Sequence, residues 1–390
     1  MKYTIPFLIL MVIMAFSCKS SKSIFSKKTP HEKYADKMDD APWKRTPAGK
    51  QWLEASKLAL ENTQNISLPY KQLGYFNNDK ARAIGLDFQA KKGERIHFNL
   101  NKSQPETVIY ADIYKQENDG TEHLYAADVS VSEFNVDIET SGRYILRLQP
   151  ELSKIVNYTI TVTSGPSLAF PVAGTKAKAG SFWGANRDGG KRKHEGIDIF
   201  APKHTNAIAA TDGIITNVSE GGIGGKVVWL RPTGKNISLY YAHLDAQMVQ
   251  PGQSVKKGDI LGLVGNTGNA KNTPSHLHFG IYTSSGPVDP WPYVNQAITS
   301  PAPVPEKKLT HFIKLLKPQK TDRTNELIKA NTILVPLAVS AKYYIAELPD
   351  GQLMQVPFTN VQITNQPIGK STSTAHNENR SNKKIPAAIL

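Results

Sequence analysis

The segment SHLHFGI, residues 275–281, alternates polar and apolar side chains. This alternation predicts a β-strand with one face in a core. Residues i and i+2 of a strand face the same side, roughly 6.6–6.8 Å apart. His276 and His278 should therefore project together into one cleft while Leu277 and Phe279 enter the core. Two imidazoles at this spacing can serve a metal site, although His-x-His alone also fits a solvated strand face.

A second histidine segment, HEGID, begins at His194. On a straight strand, His194 and Asp198 would lie roughly 13 Å apart, but Gly196 permits a bend that brings both to one ion. A helix would also place these two side chains on one face. Gly196 inside it and Pro202 soon afterwards favour strand and loop instead. Glu195 is therefore not expected to act as the base of a helical His-Glu-x-x-His site.

A third histidine lies between these two segments, in YYAHL at residues 240–244. The order His-x-Gly-x-Asp, Tyr-x-His-Leu, His-x-His-Phe resembles the M23 peptidases of the lysostaphin/LytM type. Neighbouring segments agree, with FWG at 182–184, ATDG at 210–213 and GNTG at 265–268. The resemblance covers about residues 166–295, a third of the chain.

The resemblance implies a role for each of five residues. His194, Asp198 and His278 would be zinc ligands, and His243 and His276 would be catalytic histidines beside the metal. The implied activity is a zinc-dependent endopeptidase that hydrolyses peptide cross-links of bacterial peptidoglycan. A zinc-activated water would attack the peptide, assisted by the two histidines in roles that the sequence does not separate.

The coordination chemistry of this ligand set agrees with zinc. Two imidazoles and one carboxylate suit zinc, and three protein ligands leave a fourth position open for water, as in catalytic sites. A closed structural site would need a fourth protein ligand. His204 is the nearest candidate, but we expect it to be an ordinary loop residue.

Four further residues are candidates for the cleft. Tyr240 and Tyr241 would line it or, as tyrosines on strands commonly do, pack in the core. Asn186 and Arg187, which precede the first motif, lie where the family often places residues of the cleft rim.

The N-terminus resembles that of a bacterial lipoprotein. Lys2 precedes an apolar run at residues 5–16, too short to span a bilayer, and Cys18, the one cysteine of the chain, follows small residues as in a lipobox. A plain signal peptide with an incidental cysteine is the alternative. We expect a cell-envelope protein, anchored to the membrane through a lipid on Cys18, on the periplasmic face of the outer membrane.

The net charge of +14 favours anionic partners. Peptidoglycan is the partner that the motifs imply. No helical reader or RNA-binding signature supports nucleic acid, so we expect no nucleic-acid partner. The sequence does not determine the oligomeric state, for which we expect a monomer.

The remaining sequence predicts a mostly β chain. An N-terminal jelly-roll-like β-sandwich, a central antiparallel β-sheet peptidase domain and a small C-terminal SH3-like β-barrel are expected. The predicted segments are a lipoprotein signal peptide (1–17), a polar tether (18–45), a short helix plus β-sandwich module (46–165), the M23 zinc peptidase domain (166–297), a Pro/Lys-rich linker (298–320), an SH3-like β-domain (321–368) and a disordered tail (369–390).

Two non-enzymatic functions compete with the peptidase. One is a regulator that binds cell wall without cutting it, and the other is an adhesion protein whose β-modules bind the wall. The sequence departs from the catalytic pattern at none of the five positions, which favours the enzyme.

Overall fold

The computed structural model describes residues 27–40 and 45–365. The predicted signal peptide, Cys18 and the C-terminal tail lie outside these residues. The described chain is mostly β, as predicted, and its strands form three modules. Within the described residues, no helix combines the length and the apolarity needed to cross a membrane.

The N-terminal module contains two helices and nine strands. These are α1 (Pro30–Asp40), α2 (Pro47–Glu61), β1 (Gln64–Asn65), β2 (Tyr70–Phe76), β3 (Ile84–Ala90), β4 (Glu94–Lys102), β5 (Ile109–Glu117), β6 (Gly120–Ala126), β7 (Glu133–Asp137), β8 (Gly142–Pro150) and β9 (Val156–Pro166).

The predicted β-sandwich is present. One sheet has the strand order β1-β3-β8-β5-β6, and β2, β9, β4 and β7 are neighbours in the other. Alternating residues of both sheets share one core, for example Leu86 and Leu146 from the first and Ile96 and Ile160 from the second. The helix predicted around residues 46–62 is α2, which Thr46 caps by accepting a hydrogen bond from the Gly49 N–H.

Helix α1 corrects the prediction of a tether over residues 18–45. His31 and Met38 of this helix are buried, and Met38 packs against Trp52 and Tyr110. The His31 ring stacks on Trp52 with centroids 4.6 Å apart. The segment is polar in composition, but its few apolar side chains are spaced for one face of a short helix. The surface that covers this face is aromatic and is made by α2 and β5, which the local sequence does not show.

The central module contains most of its strands in one antiparallel sheet. Its elements are β10 (Lys178–Ser181), β11 (Asn186–Arg187), β12 (Arg192–Lys193), β13 (Ile197–Phe200), β14 (Asn206–Ile208), β15 (Gly213–Gly221), β16 (Gly225–Pro232), β17 (Ser238–Gln247), β18 (Ser254–Val255), β19 (Ile260–Val264), β20 (His276–Thr283), β21 (Gly286–Val288) and the short helix α3 (Trp291–Val294). The main path of the sheet is β10-β13-β20-β17-β16-β15-β18.

Strand β20 lies between β13 and β17, and this order brings the candidate site residues together. Asp198 of β13 is the register partner of His278, and on the other side His278 is opposite Ala242, the residue before His243. Leu277 and Phe279 are fully buried in the core of the module, as the alternation predicted.

The C-terminal module contains the strands β22 (Phe312–Leu315), β23 (Gln319–Lys320), β24 (Leu327–Ile328), β25 (Ile333–Val339), β26 (Tyr343–Glu347), β27 (Leu353–Pro357) and β28 (Val361–Thr364). Strand β22 pairs with β25 and β28, and β25, β26 and β27 form a meander. A 3₁₀ turn, Phe358–Asn360, joins the last two strands.

Strand β22 differs from the predicted linker over residues 298–320. Ile313 and Leu315 are fully buried in the C-terminal core. This strand is four residues long and is flanked by prolines and lysines, which hides its alternation within a segment of linker composition. The folded module thus begins before the predicted boundary at 321.

The N-terminal and C-terminal modules share one sheet, which the sequence did not reveal. Strand β25 pairs with β2, with Leu73 opposite Val339 and Gly74 opposite Ala338. Beside this junction Arg82 contacts Glu347 at 3.2 Å, and both side chains are buried. We call this junction the seam; it joins modules that flank the central domain in the sequence.

Candidate metal centre and cleft

Three side chains converge at the floor of a cleft in the central module. His194 Nε2, Asp198 Oδ1 and His278 Nδ1 lie 3.0 Å from one another in each pair. Ligand atoms arranged tetrahedrally around zinc lie about 3.3 Å apart, which follows from metal–ligand distances of about 2.0–2.1 Å. The triangle therefore matches the spacing of a small bound cation.

The hydrogen bonds around this triangle leave acceptors facing one another. The Nδ1–H of His194 donates to the carbonyl of Phe182 at 3.0 Å, so the Nε2 of the neutral ring carries a lone pair. That lone pair points at a carboxylate oxygen and at a second imidazole nitrogen. Converging lone pairs repel unless a proton or a cation lies between them. These three potential ligand atoms, two nitrogens and one oxygen, fit zinc.

Backbone geometry explains how the chain brings these ligands together. A Cβ at Gly196 would lie 2.7 Å from His278 Cε1 and 2.7 Å from the carbonyl oxygen of Phe279. The glycine between His194 and Asp198 therefore lets the chain pass directly against the His278 ring. The sequence predicted this bend because glycine is flexible. The structure shows a second reason for the glycine: a residue with a Cβ could not approach the His278 ring so closely.

Arg187 holds the carboxylate of Asp198 from the side. It donates to Asp198 Oδ2 at 2.7 Å and to Ser181 Oγ at 2.7 Å. Oδ2 is thereby engaged while Oδ1 faces the histidines. Burial alone would raise the pKa of Asp198, but the facing rings of His194 and His278 outweigh it and hold the pKa well below its usual range.

His243 and His276 stand beside the triangle in matching orientations. The Nδ1–H of His243 donates to the carbonyl of Thr267 at 2.9 Å, and that of His276 donates to the carbonyl of Pro274 at 2.8 Å. In the neutral form of each ring, this hydrogen bond places the proton on Nδ1 and a lone pair on Nε2. The ring centroids are 5.1 Å apart, and His276 Nε2 lies 3.9 Å from Asp198 Oδ1.

The backbone and the surroundings of His243 are unusual. Its φ of 62° lies in the left-handed region, which is uncommon for a residue other than glycine and often marks functional sites. Its backbone N–H donates to the Gly224 carbonyl at 2.9 Å and holds this conformation. Burial, with the neighbouring His276 and His278, lowers the pKa of His243 to about 4, so the ring is neutral at pH 7.

The cleft has a volume of about 540 Å³, and all its lining residues lie between Ser181 and Tyr282. No described residue of the flanking modules contributes to that lining. Tyr240 lines the cleft. Tyr241 does not: it is fully buried, and its hydroxyl accepts a hydrogen bond from the Ala210 N–H at 3.0 Å.

The remaining candidate residues differ in whether they line the cleft. Arg187 lines the cleft, whereas Asn186 is exposed beside it and accepts from Lys193 Nζ at 2.6 Å. His204 is an exposed loop residue that contacts Asp245 at 2.8 Å, away from the triangle. Sequence analysis missed Ser181, because a serine thirteen positions from a histidine carries no motif. It also missed the carbonyl of Thr267, because a backbone carbonyl has no residue signature.

The comparisons with known proteins agree with this geometry. Residues 192–290 match the family model described as Peptidase family M23. These residues form an M23 peptidase domain. The match begins in strand β12 and ends beyond β21, so it includes His194, Asp198, His243, His276 and His278.

Relatives of the M23 domain bear peptidase names. The chain is 27% identical over 270 residues to an uncharacterized metalloprotease of Haemophilus influenzae, covering 66% of this chain and 52% of that protein. It is 34% identical over 126 residues to the L-Ala–D-Glu endopeptidase of Bacillus subtilis, covering 29% of this chain and 38% of that protein. The chain thus spans about half or less of the length of these curated relatives.

Among solved structures, the catalytic domain of lysostaphin from Staphylococcus simulans is 31% identical, with a TM-score of 0.28. The similarity covers 30% of this chain and 90% of that one.

Proposed function

We propose that the protein is a zinc-dependent endopeptidase that hydrolyses peptide cross-links of bacterial peptidoglycan. The observation that carries this proposal is the triangle of His194 Nε2, Asp198 Oδ1 and His278 Nδ1 at 3.0 Å spacing. A Vibrio cholerae relative, 35% identical over 88 residues, bears the name peptidoglycan DD-endopeptidase ShyC, which supports peptidoglycan as the substrate.

In the proposed mechanism, His194, Asp198 and His278 would hold a zinc ion. Zinc bound there would supply a Lewis acid that polarises a peptide carbonyl and lowers the pKa of a water molecule. His243 and His276 present Nε2 lone pairs towards the same space. One of them accepts the proton of the attacking water, and a protonated histidine then donates a hydrogen bond to the developing oxyanion or a proton to the leaving amine.

The fixed tautomers support this assignment. Because the carbonyls of Thr267 and Pro274 accept the Nδ1–H groups, neither ring has to reorganise before Nε2 accepts a proton. Arg187, which also donates to Ser181 Oγ, donates to Asp198 Oδ2 and leaves Oδ1 facing the histidines.

The proposed place of action is the cell envelope, where peptidoglycan lies. Anchoring through a lipid on Cys18 and a location at the outer membrane remain predictions from the sequence.

Digestion of purified peptidoglycan tests the proposal. The protein from Lys19 onward is incubated with peptidoglycan, with chelator and with added zinc, and the products are read by mass spectrometry. We expect zinc-dependent release of fragments from which peptide cross-links have been cut.

The alternative is a non-catalytic regulator or adhesion protein that binds cell wall. It would bind peptidoglycan equally well with and without chelator and release nothing. That result, obtained with folded protein shown to contain zinc, would overturn the proposed activity.

A further inference from the structure

A second cavity lies where the N-terminal and C-terminal modules meet. Its volume is about 920 Å³, at the upper end of the range of about 300–1,000 Å³ that is usual for small-ligand sites. Its lining residues lie between Lys57 and Arg143 and between Asp322 and Gln355, so it shares none of them with the cleft. We call this cavity the groove. It is separate from the proposed reaction site.

Two hydrogen bonds join the modules at the groove. Gln355 Nε2 of β27 donates to the carbonyl of Asn65 in β1 at 3.0 Å, and Arg323 Nη1 donates to Asn62 Oδ1 at 2.8 Å. All four residues line the groove. Because both modules supply its lining, neither module would form the groove alone.

The formal charges of the groove balance. Its cations are Lys57, Arg143 and Arg323, and its anions are Glu61, Asp87 and Asp322. Arg143 Nε donates to Asp87 Oδ1 at 3.1 Å, so these two charges already compensate each other. A ligand with a net charge would meet no excess of the opposite sign. The lining therefore favours a neutral ligand.

Amide side chains are frequent in the neutral part of the lining. The six that line the groove are Asn62, Gln64, Asn65, Gln116, Gln352 and Gln355. An amide offers an acceptor oxygen and an NH₂ group that donates twice. It therefore matches ligand groups that both donate and accept, as the hydroxyl and acetamido groups of sugars do. Leu60, Leu353 and Met354 add apolar surface, which suits the C–H faces of sugar rings.

One of these amides, Gln64, lacks a hydrogen-bond partner for its oxygen. Its side chain is buried, with 6% of the residue exposed, and its Nε2 donates to the Tyr70 hydroxyl at 2.9 Å. Gln64 Oε1 accepts no hydrogen bond from any part of the chain that the structure describes. A buried acceptor without a donor is unfavourable. A ligand hydroxyl or N–H group that enters the groove beside Gln64 would supply the missing donor.

The strand edges beside the groove argue against an extended peptide as the occupant. A peptide that adds a strand to a sheet needs free backbone donors and acceptors at the edge. In the edge strand β27, the Gln355 N–H donates to Asp322 Oδ2 at 3.0 Å, and the Gln355 carbonyl accepts from Gln319 Nε2 at 2.7 Å. In the edge strand β1, the carbonyl of Asn65 is occupied by Gln355. At these positions the groove offers side chains to a ligand.

We propose that the groove binds a neutral oligosaccharide and that its amide side chains recognise the acetamido groups of an N-acetylated sugar chain. The site lies outside the cleft, so this binding goes beyond the proposed peptidase activity and does not need zinc. A sugar chain held in the groove would keep the protein on a polysaccharide while the cleft stays free, which raises the effective concentration of any substrate attached to that polysaccharide.

Titration calorimetry with the full chain tests the proposal. The probes are a hexamer of β-1,4-linked N-acetylglucosamine, the glucose hexamer with the same linkage, and a neutral hexapeptide. The groove variants are Gln116→Ala in the N-terminal module and Gln352→Ala in the C-terminal module. The matched controls are Gln89→Ala in β3 and Gln362→Ala in β28, which remove exposed glutamines outside the groove lining.

We expect the N-acetylated hexamer to bind more tightly than the glucose hexamer, with the same dissociation constant in chelator and in added zinc. Each groove substitution should weaken binding by about twofold to tenfold, the loss expected for one hydrogen bond. Gln89→Ala and Gln362→Ala should bind as the wild type does. Denaturant unfolding of all four variants checks that none of these differences arises from loss of the fold.

A folded chain that binds neither sugar would overturn the proposal. So would sugar binding that both groove variants leave unchanged, or hexapeptide binding tighter than that of both sugars. Equal binding of the two sugars, weakened by the groove substitutions, would support the oligosaccharide site and reject the preference for acetamido groups. A failure of the proposed peptidase would appear in the digestion of peptidoglycan and would leave these titrations unchanged, so the two failures are distinguishable.

Discussion

The triangle in the cleft and the ion cluster at the seam are both sets of buried polar groups. Only in the ion cluster do the charges and hydrogen-bonding groups match one another. At the seam, the Arg82 guanidinium donates to Glu347 and Asp79, and Lys80 contacts Glu347 at 2.7 Å. Every charge there faces an opposite charge. In the cleft, ring nitrogens of two histidines converge on a carboxylate oxygen that accepts nothing from Arg187.

This difference separates a structural cluster from a functional one. Buried polar groups are stable when donors and acceptors match. A cluster that matches internally stabilises the fold, whereas one with converging acceptors needs a ligand. Substitutions at the two places should consequently affect different measurements, as the following predictions state.

The largest effect is expected in the cleft. His278→Ala should lose both zinc and activity because it removes one of the three proposed ligands. His243→Ala should keep zinc and lose activity by about 10²–10⁴-fold, the usual contribution of a general acid or base. Zinc content by mass spectrometry and release of peptidoglycan fragments measure the two properties.

His204→Ala is the control for this pair, since His204 is exposed and lies away from the triangle. It should retain zinc and activity. Equal zinc loss in His278→Ala and His243→Ala would contradict the division of roles.

At the seam, we expect a large effect on the free energy of unfolding and no effect on zinc affinity. Glu347→Ala leaves Arg82 buried beside Asp79 as its remaining anionic partner. Removing one member of a buried pair costs about 3 kcal/mol of unfolding free energy, at the lower end of the usual range because Asp79 remains. Denaturant unfolding measures this loss, while the zinc dissociation constant should stay at the wild-type value.

Glu326, an exposed residue of the C-terminal module, offers the matched control for the seam. Glu326→Ala should leave the unfolding free energy unchanged. A loss of zinc affinity in Glu347→Ala would show that seam and cleft are coupled, contrary to the comparison.

A moderate effect is expected from the residue that holds Asp198. Arg187→Gln removes the donor to Oδ2 and frees the carboxylate to rotate. Loss of such supporting hydrogen bonds typically weakens metal affinity by about 10–100-fold. Competition with a chelator of known affinity measures the zinc dissociation constant. Arg231→Gln, at an exposed arginine of β16, should leave that constant unchanged; equal constants for both variants would refute the role of Arg187.

The smallest effect is expected from pH at helix α1. Burial, with the nearby charge of Arg147, lowers the pKa of His31 to about 4, below its value of 6.5 in an unfolded chain. Between these values the unfolded or undocked state binds more protons, so stability is fully present above pH 6.5 and falls as pH drops towards 4. Because His31 lies in α1, the loss should appear first in hydrogen exchange of Pro30–Asp40.

His31→Gln removes this titration and should flatten the pH dependence of exchange in α1. An unchanged pH dependence in the variant would assign the effect to another group. The nearby Asp112 and Glu32, which act on the pKa of His31 in the opposite direction, are the next candidates.

The convergence of the candidate residues was predictable because it depends on side-chain identity and spacing. His276 and His278 share a face because a strand has a period of two, and their alternation with Leu277 and Phe279 is local information. Gly196 was identifiable from its neighbours for the same reason. The N-terminal β-sandwich was also predicted, since its strands are rich in β-branched and aromatic residues.

What the sequence by itself determined was therefore the mostly β fold, the central peptidase domain and the five candidate residues of its site. The tertiary structure alone decided the docking of α1, the start of the C-terminal module at β22 and the seam between β2 and β25. It also decided that Arg187 faces Asp198 and that Tyr241 enters the core. These features depend on contacts such as Arg82 with Glu347, 265 positions apart. A local pattern reports which face of an element is apolar, but it does not report which surface will cover that face.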